Sequence, residues 1–477
     1  MVTVKPRLLK GMQDGWPELA SARRRMIAQI ESVCQQFGFL PFDSPAMEAL
    51  DALLGPEPTP EQLMGVFHFV NHDDEAVGLR YDLTVPLARI VSLYRQDLPQ
   101  PFRRYQLGSV FRFDKPEPGR FREFLQFDVD TVGTASMAAD AEIIAVIDRV
   151  LRALSVANYK IRLSNRKLLT GLGTFAGASV EQARSIYRVV DKLEKYGRER
   201  VRQELGPGLI DASGDRIAGL GLSERQIARI EEFLDLPNEG DSLESLQAAR
   251  ALLKGNALAE EGLKEVEEIL QHLAAFGVPR ASYMLDLHLA RGIAYYTGPV
   301  FEVTLADLPS YGSVFGGGRY DGLVERFMGE GQGVPAVGAS VGVDRLLAAL
   351  AELGQAGSGR AGAQVLVTVM DAGRMVEYIA LARELREAGI AAEVYLGSGG
   401  LSKQVKYADR LGIPLAVIIG EDELKRGEAT VKDMELGRRI AAEAGSREEW
   451  KEQKQQFTVP RGELLRAIRE RLGMTGG

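Results

Sequence analysis

At 477 residues, with 45% hydrophobic and 26% charged side chains, the chain is long for one core and has the balance of a globular protein of two or three domains. No apolar run approaches a membrane span, Met1 to Pro6 lacks a secretory stretch, and the single cysteine, Cys34, excludes an intrachain disulfide framework and a cysteine-built zinc site; the cytoplasm is the expected compartment. A net charge of −8 argues against indiscriminate coating of nucleic acid but not against a selective RNA binder, and from Lys160 to Gly206 eleven Lys/Arg stand against five Asp/Glu. A solvated helical face is the commoner meaning of such a run.

Met26, Ile30, Val33 and Phe37 recur at helical spacing, with Gly38 as a stop. A short strand from Phe39 to Phe42 then leads to Pro45, and Val77 to Tyr81, Phe102 to Arg112 and Phe124 to Val132 are further strands. Ile143, Ile147, Val150 and Leu154 mark a helix. Hairpin-linked strands with covering helices predict a largely antiparallel sheet. From about Lys167 to Gly277 the chain turns helical, charged and alanine-rich, with Leu263, Val266, Leu270 and Leu273 on one face. Strand signals return at Val300 to Leu305 and Val337 to Gly342, so a helical module interrupts the sheet.

Gly354 to Gly362 has linker composition, and its formal G-x-G-x-x-G at Gly357, Gly359 and Gly362 precedes a strand instead of following one, so a dinucleotide loop is rejected. Beyond it come strand Gln364 to Met370, a helix with Met375, Ile379, Ala382 and Leu385 on one face, strand Ala392 to Leu396, helix Ser402 to Leu411 and strand Leu415 to Gly420. This alternation predicts a small α/β domain with parallel strands.

Three arginine-bearing segments carry the chemistry. They are Phe111-Arg112-Phe113-Asp114 with Gly119-Arg120-Phe121-Arg122-Glu123-Phe124, then Arg291-Gly292-Ile293-Ala294-Tyr295-Tyr296-Thr297-Gly298, then Gly338 to Gly342-Val343-Asp344-Arg345. In this order they resemble the catalytic domain of a class II aminoacyl-tRNA synthetase, and the tyrosine segment resembles the histidine-recognition motif of the histidyl-tRNA synthetase family. An amino-acid carboxylate attacking the α-phosphate of ATP is already ionised and needs no general base. The protein must align two anions and stabilise charge on phosphorus, for which arginine's fixed charge and planar donor fork are suited.

The resemblance implies that Arg112 grips the α-phosphate and the substrate carboxylate, that Arg345 lies against ATP, and that Arg291 stands at the reacting phosphate. It places Asp114 and Arg120 in the loop of the second motif, Arg120 at the phosphate tail. Leu79-Arg80-Tyr81-Asp82-Leu83-Thr84 matches the segment whose acid and threonine, Asp82 and Thr84, meet the substrate amino group. Gln126 and Asp130 match residues that hold the substrate and one imidazole nitrogen, with Tyr295 and Tyr296 at the ring. Taken singly, arginines on strands mostly make surface ion pairs and tyrosines near glycine are mostly core.

Two departures stand out. Ala294 occupies a position where the family usually has aspartate, and Lys115 and Glu117 stand where many bacterial members have arginine and glutamine. That glutamine helps read an extra 5′ guanosine of the tRNA, so Glu117 predicts altered acceptor-end recognition. Gly312-Ser313-Val314-Phe315-Gly316-Gly317-Gly318-Arg319 allows close backbone approach to a ligand. No Lys-Ser/Thr follows, which rejects a P-loop; the family uses the strip as a pocket floor, and a glycine-rich turn is the plain alternative. His68 and His72 have helical metal-pair spacing without a third ligand, so no protein-built metal site is expected. In the last domain, segments around Lys403, Gln404 and Lys432 resemble an anticodon-binding domain and are candidate RNA contacts.

These readings imply an α+β fold with a class II catalytic domain at 1–166 and 278–353, a helical insertion at 167–277, a linker at 354–362 and an anticodon-type α/β domain at 363–477. The implied activity is ligation of L-histidine to histidine tRNA through an adenylate, using ATP with Mg2+, in a homodimer built on the first motif around Pro45, with no membrane partner. The competing readings are a histidine-sensing regulatory subunit of ATP phosphoribosyltransferase, an uncharged-tRNA sensor, or a related synthetase for threonine, proline or glycine.

Overall fold

The computed structural model describes residues 4–115, 121–211, 214–238, 242–289, 295–355, 362–436 and 455–474. They divide into two compact units, Met1–Asp14 with Arg23–Gly357, and Gly15–Ala22 with Ser358–Gly477.

The first unit is built on an eight-stranded sheet. Its order is Leu40–Pro41, Phe102–Phe111, Glu123–Val132, Ala336–Gly342, Ser313–Arg319, Pro299–Leu305, Tyr159–Asn165 and Tyr283–Leu285. Inner neighbours pair antiparallel, and the outermost strand at each edge pairs parallel. The two ten-residue strands form a hairpin in register from Phe102 opposite Val132 to Phe111 opposite Glu123. Helix Met137–Ala153 starts at Ser136, whose hydroxyl accepts from the Ala138 N–H at 3.3 Å. It packs against Glu123–Val132, Ser313–Arg319 and Ala336–Gly342. Ile143, Ile144, Ile147 and Leu151 are fully buried along it, each contributing roughly 1.5–3 kcal/mol of transfer free energy.

Helices Arg166–Ala176, Val180–Val190, Leu193–Leu205, Glu224–Leu234, Ser242–Leu252 and Ala257–Ala275 separate the halves of the sheet. Leu263, Val266, Leu270 and Leu273 are buried as their spacing predicts. A small hairpin, Gly208–Ile210 with Arg216–Ala218, interrupts this stretch and has no strong signal in the sequence. The strand predicted at Val77 to Tyr81 exists as Ala76–Leu79, but in a separate three-stranded sheet with Met47–Ala49 and His68–Val70. His68 therefore lies on a strand and its spacing to His72 is not that of a helical pair.

The glycine strip is an interior strand and not a turn. It is held by ladders on both sides, and its missing side chains let the layers close. A Cβ at Gly317 would lie 2.4 Å from the Gly338 carbonyl oxygen and 2.4 Å from a Phe301 ring carbon. At Gly316 a Cβ would meet nothing within 4 Å.

In the second unit the strands run Ala392–Val394, Val365–Val367, Leu415–Ile418, Glu428–Asp433 and Gln456–Pro460. The first three are parallel as predicted, and the last two extend the sheet antiparallel. On helix Met375–Glu387 the buried stripe is Tyr378, Leu381, Ala382 and Leu385, while Ile379 is exposed. The stripe is turned from its expected position because the Tyr378 hydroxyl reaches inward to donate to the Ile419 carbonyl at 3.0 Å. Of the linker, residues 356–361 lie outside the described residues, Gly357 and Gly359 among them. No helix among the described residues is long and apolar enough to cross a membrane.

Gly317→Ala should destabilise the first unit by roughly 1–3 kcal/mol, because strand backbone and the buried Phe301 ring, not the flexible end of a side chain, oppose the new methyl. Urea unfolding checks this; a loss below about 0.5 kcal/mol would contradict the closeness of the layers.

Candidate active site

A cavity of about 720 Å³ opens over the middle of the eight-stranded sheet. Strand Phe102–Phe111 delivers Arg112 at its end. The Arg112 guanidinium stacks over Phe124 at 5.2 Å, donates from Nε to the Tyr81 carbonyl at 3.0 Å, and from Nη2 to Gln126 Oε1 at 3.3 Å. Strand Ala336–Gly342 runs into helix Val343–Glu352, whose first turn carries Arg345. Arg345 Nη1 donates to the Ser313 carbonyl at 3.1 Å. The start of that helix is pinned by Asp344, which accepts from the Leu125 N–H at 2.8 Å and pairs with Arg23 at 2.8 Å. Two guanidiniums thus line one cavity, each anchored by a backbone carbonyl.

A more deeply buried polar group adjoins them. Asp82 Oδ1 accepts from the Thr84 and Val85 N–H groups at 3.1 and 2.9 Å, capping helix Thr84–Leu93. Its Oδ2 is buried without a hydrogen-bond partner in a side chain that lines the cavity. Burial pushes the Asp82 carboxyl up to about 6. Burial also raises Asp128, which accepts from Gln126 Nε2 at 2.9 Å. Tyr295 and Tyr296 form an edge-to-face pair with ring centroids 5.2 Å apart, and burial raises both phenols, so both remain protonated donors at neutral pH. An aromatic wall with hydroxyls, a desolvated carboxylate and fixed cations suits a zwitterionic ligand that carries a small polar ring.

The structure brings Asp82, Thr84, Arg112, Asp114, Gln126, Tyr295, Tyr296 and Arg345 together at this cavity. Asp130 is not among the lining residues. It lies beneath, paired with fully buried Arg104 at 2.9 Å and accepting from the Tyr320 hydroxyl. Arg104 comes from the neighbouring strand and Tyr320 from just past the end of Ser313–Arg319, and together they hold its carboxyl beneath the cavity. Arg291, Arg120, Glu117 and Ala294 lie outside the described residues. Lys115 is exposed at the end of the hairpin's first limb.

In the second unit Lys403 is exposed and Lys432 half-buried. Gln404 is 1% exposed, and its amide is spent on Val369: Nε2 donates to the Val369 carbonyl at 2.7 Å and Oε1 accepts from its N–H at 2.8 Å. It ties a helix to the sheet and is removed from the candidate RNA contacts.

Sequence reasoning passed over Asp128, Ser340, Glu302 and Asp191, the last three of which line the cavity. Asp128 could have been found from its place between Gln126 and Asp130 on one strand face. Glu302 is a buried acid inside the apolar run Pro299–Leu305, held by Arg162 at 3.0 Å. Among the described residues no cluster of three or more His, Cys, Asp or Glu has the arrangement to hold a metal ion.

Comparison with known proteins agrees with this geometry. The family model for histidyl-tRNA synthetase matches residues 11–346, and that for the anticodon-binding domain matches residues 364–471. A histidine–tRNA ligase of Ruegeria sp. is 44% identical, covering 97% of this chain and 95% of its own length. One of Paracoccus denitrificans is also 44% identical, covering 97% of each. The crystal structure of histidyl-tRNA synthetase from Nostoc sp. superposes with a TM-score of 0.80 at 30% identity, covering 98% of this chain and all of that one.

The raised Asp82 carboxyl sets a pH dependence. Its folded-state value of about 6 lies above the ordinary 3.8, so the folded chain holds a proton that the unfolded chain releases between those values. The resulting stability is fully present below about pH 4 and is lost as pH rises through about 6, a span on the order of 2–3 kcal/mol. Asp82→Asn keeps the capping oxygen and should remove this component. Urea midpoints of the two proteins from pH 4 to 7 should converge at the acid end; parallel profiles would contradict the burial effect.

Proposed function

The chain belongs to the histidyl-tRNA synthetase family, and we propose that it joins L-histidine to histidine tRNA in two steps within the cavity over the sheet. First the histidine carboxylate attacks the α-phosphorus of ATP; a carboxyl oxygen–phosphorus bond forms, the bond to the bridging oxygen breaks, and pyrophosphate leaves. Then a hydroxyl of the terminal tRNA ribose attacks the carbonyl of histidyl-adenylate. AMP departs and the ester remains. The observation that carries this reading is the gathering of Arg112, Arg345, Asp82, Thr84, Gln126 and both tyrosines on one cavity in a chain of this family.

Arg112 and Arg345 serve as fixed cations around the phosphates, with Arg291 as the third. Preset charge stabilises the phosphorus centre without reorganising water at the moment of reaction. The free Asp82 oxygen takes the α-ammonium, which restores to that carboxylate a partner that burial denied it. Tyr295, Tyr296 and Gln126 enclose the imidazole; a ligand without matching ring nitrogens would leave buried donors unpaired and be rejected. Asp114 and Glu302, which line the cavity, are the carboxylates that would hold a magnesium ion carried by the ATP phosphates. Here it would screen the phosphate charge.

Residues 167–277 act as an insertion and 363–477 as the anticodon-recognising module. Two copies assemble through the first motif, where Leu40, Met47, Phe69 and Val70 leave apolar surface exposed around a short edge strand. The work is done in the cytoplasm, where its tRNA substrate is found. The regulatory-subunit and tRNA-sensor readings are less well supported, since the chain keeps both the phosphate-facing arginines and the anticodon-binding domain.

Histidine-dependent exchange of pyrophosphate into ATP should greatly exceed exchange with any other amino acid. Arg291→Ala should reduce it by about three orders of magnitude, the scale for loss of one charge-stabilising donor, while leaving the melting temperature nearly unchanged; near-normal exchange would refute its role. Because Glu117 replaces a reader of the extra 5′ guanosine, adding or deleting that nucleotide should change charging less than tenfold, about 1.4 kcal/mol. A larger change measured with the two transcripts would show that the guanosine is still read.

A further inference from the structure

We propose that Asp128 is a positioning residue that locks the Gln126 amide in the orientation that binds histidine. The inference rests on the function proposed above. Gln126 is caught between two ions of opposite sign on a single strand face. Arg112 Nη2 lies 3.3 Å from its Oε1, and a guanidinium can only donate, so the amide oxygen must face Arg112. Asp128 Oδ1 lies 2.9 Å from its Nε2, and an ionised carboxylate can only accept, so the amide nitrogen must face Asp128. Either ion alone would favour one orientation; together they exclude the flipped one.

The alternative partner for Nε2 is Ser340 Oγ at 3.4 Å, a longer contact to a hydroxyl that could also donate and so would not select between orientations. Asp128 is 1% exposed and does not itself line the cavity. Its second oxygen stands 3.5 Å from Thr84 Oγ1, so one carboxylate reaches two lining residues from separate segments of the chain. Asp130, two residues on, cannot substitute. Arg104 and Tyr320 hold it, and the Gly338 backbone crosses so close that a Cβ there would sit 1.9 Å from Asp130 Oδ1.

A residue that acts through Gln126 affects histidine capture and not chemistry at phosphorus. In histidine-dependent pyrophosphate exchange with the full chain, Asp128→Ala should raise the histidine KM about tenfold, the worth of one buried charge-assisted hydrogen bond, with kcat and the ATP KM held within about threefold. Gln126→Ala should do the same. The double variant should be no worse than Gln126→Ala alone, because the second substitution removes a support for something already absent. Multiplying effects, or a fall in kcat at unchanged histidine KM, would overturn the assignment. Asp128→Asn covers the case in which the alanine variant does not fold. Its amide can donate as well as accept and, like the Ser340 hydroxyl, does not select an orientation, so the histidine KM should rise about three- to tenfold with kcat held within about threefold; an unchanged histidine KM would also overturn the assignment. A folded parent that exchanges with another amino acid, or with none, would instead refute the proposed function and this assignment with it.

Discussion

The molecule's central constraint is the cost of keeping Asp82, Asp128 and Asp130 out of water on the floor of one sheet. Buried carboxylates are tolerable only with counterions and donors fixed in place. Arg104, fully buried, answers Asp130 at 2.9 Å and also donates to the Leu83 carbonyl and Gln106 Oε1. Arg112 answers from above through Gln126. Of these three side chains, only Asp82 keeps a buried oxygen with neither a hydrogen bond nor an ion pair. A site arranged in this way draws a cation to that oxygen and supplies guanidiniums for the anion that travels with it.

Much of the site was legible in the sequence because its pieces are local. Asp82 and Thr84 sit where a capping acid opens a helix, Arg112 follows the end of a strand, and Arg345 lies in the first turn of a helix that continues another. Depth was not legible. Gln126, Asp128 and Asp130 share a strand face, yet which of them touches the cavity is decided by Arg104 and Gly338 on the two flanking strands and by Tyr320 just past a third. Gln404 misled for the same reason: a polar residue on a helix of charged surface turned out to be bonded inward. The glycine strip, matched to a pocket floor by resemblance, left a turn open as the alternative, since nothing in a run of glycines declares the ladders on either side. In the second unit the alternation of strand and helix revealed the parallel core, but not the two antiparallel strands that follow it in a different rhythm.

Arg162 shows how the helical stretch is joined to the sheet. Its guanidinium meets Glu302 on the cavity wall, Asp286 just past the returning strand, and Glu194 on a helix of the interposed stretch. The first two carboxylates are buried and the third is largely exposed. The contacts that matter for the sheet are thus the two that do not involve the helices, since an exposed ion pair contributes little.

The path of the chain at that edge has a further consequence. It leaves the sheet at Asn165 and returns at Tyr283, which lies beside Ile161 in parallel register. The two ends are only about 14 Å apart, four residues along a neighbouring strand. What lies between can therefore lengthen, shrink or be exchanged at little loop-closure cost to the frame. Room to vary is confined to the outer turns of that stretch, because Asp191 reaches the cavity wall and helix Ala257–Ala275 packs on Met137–Ala153.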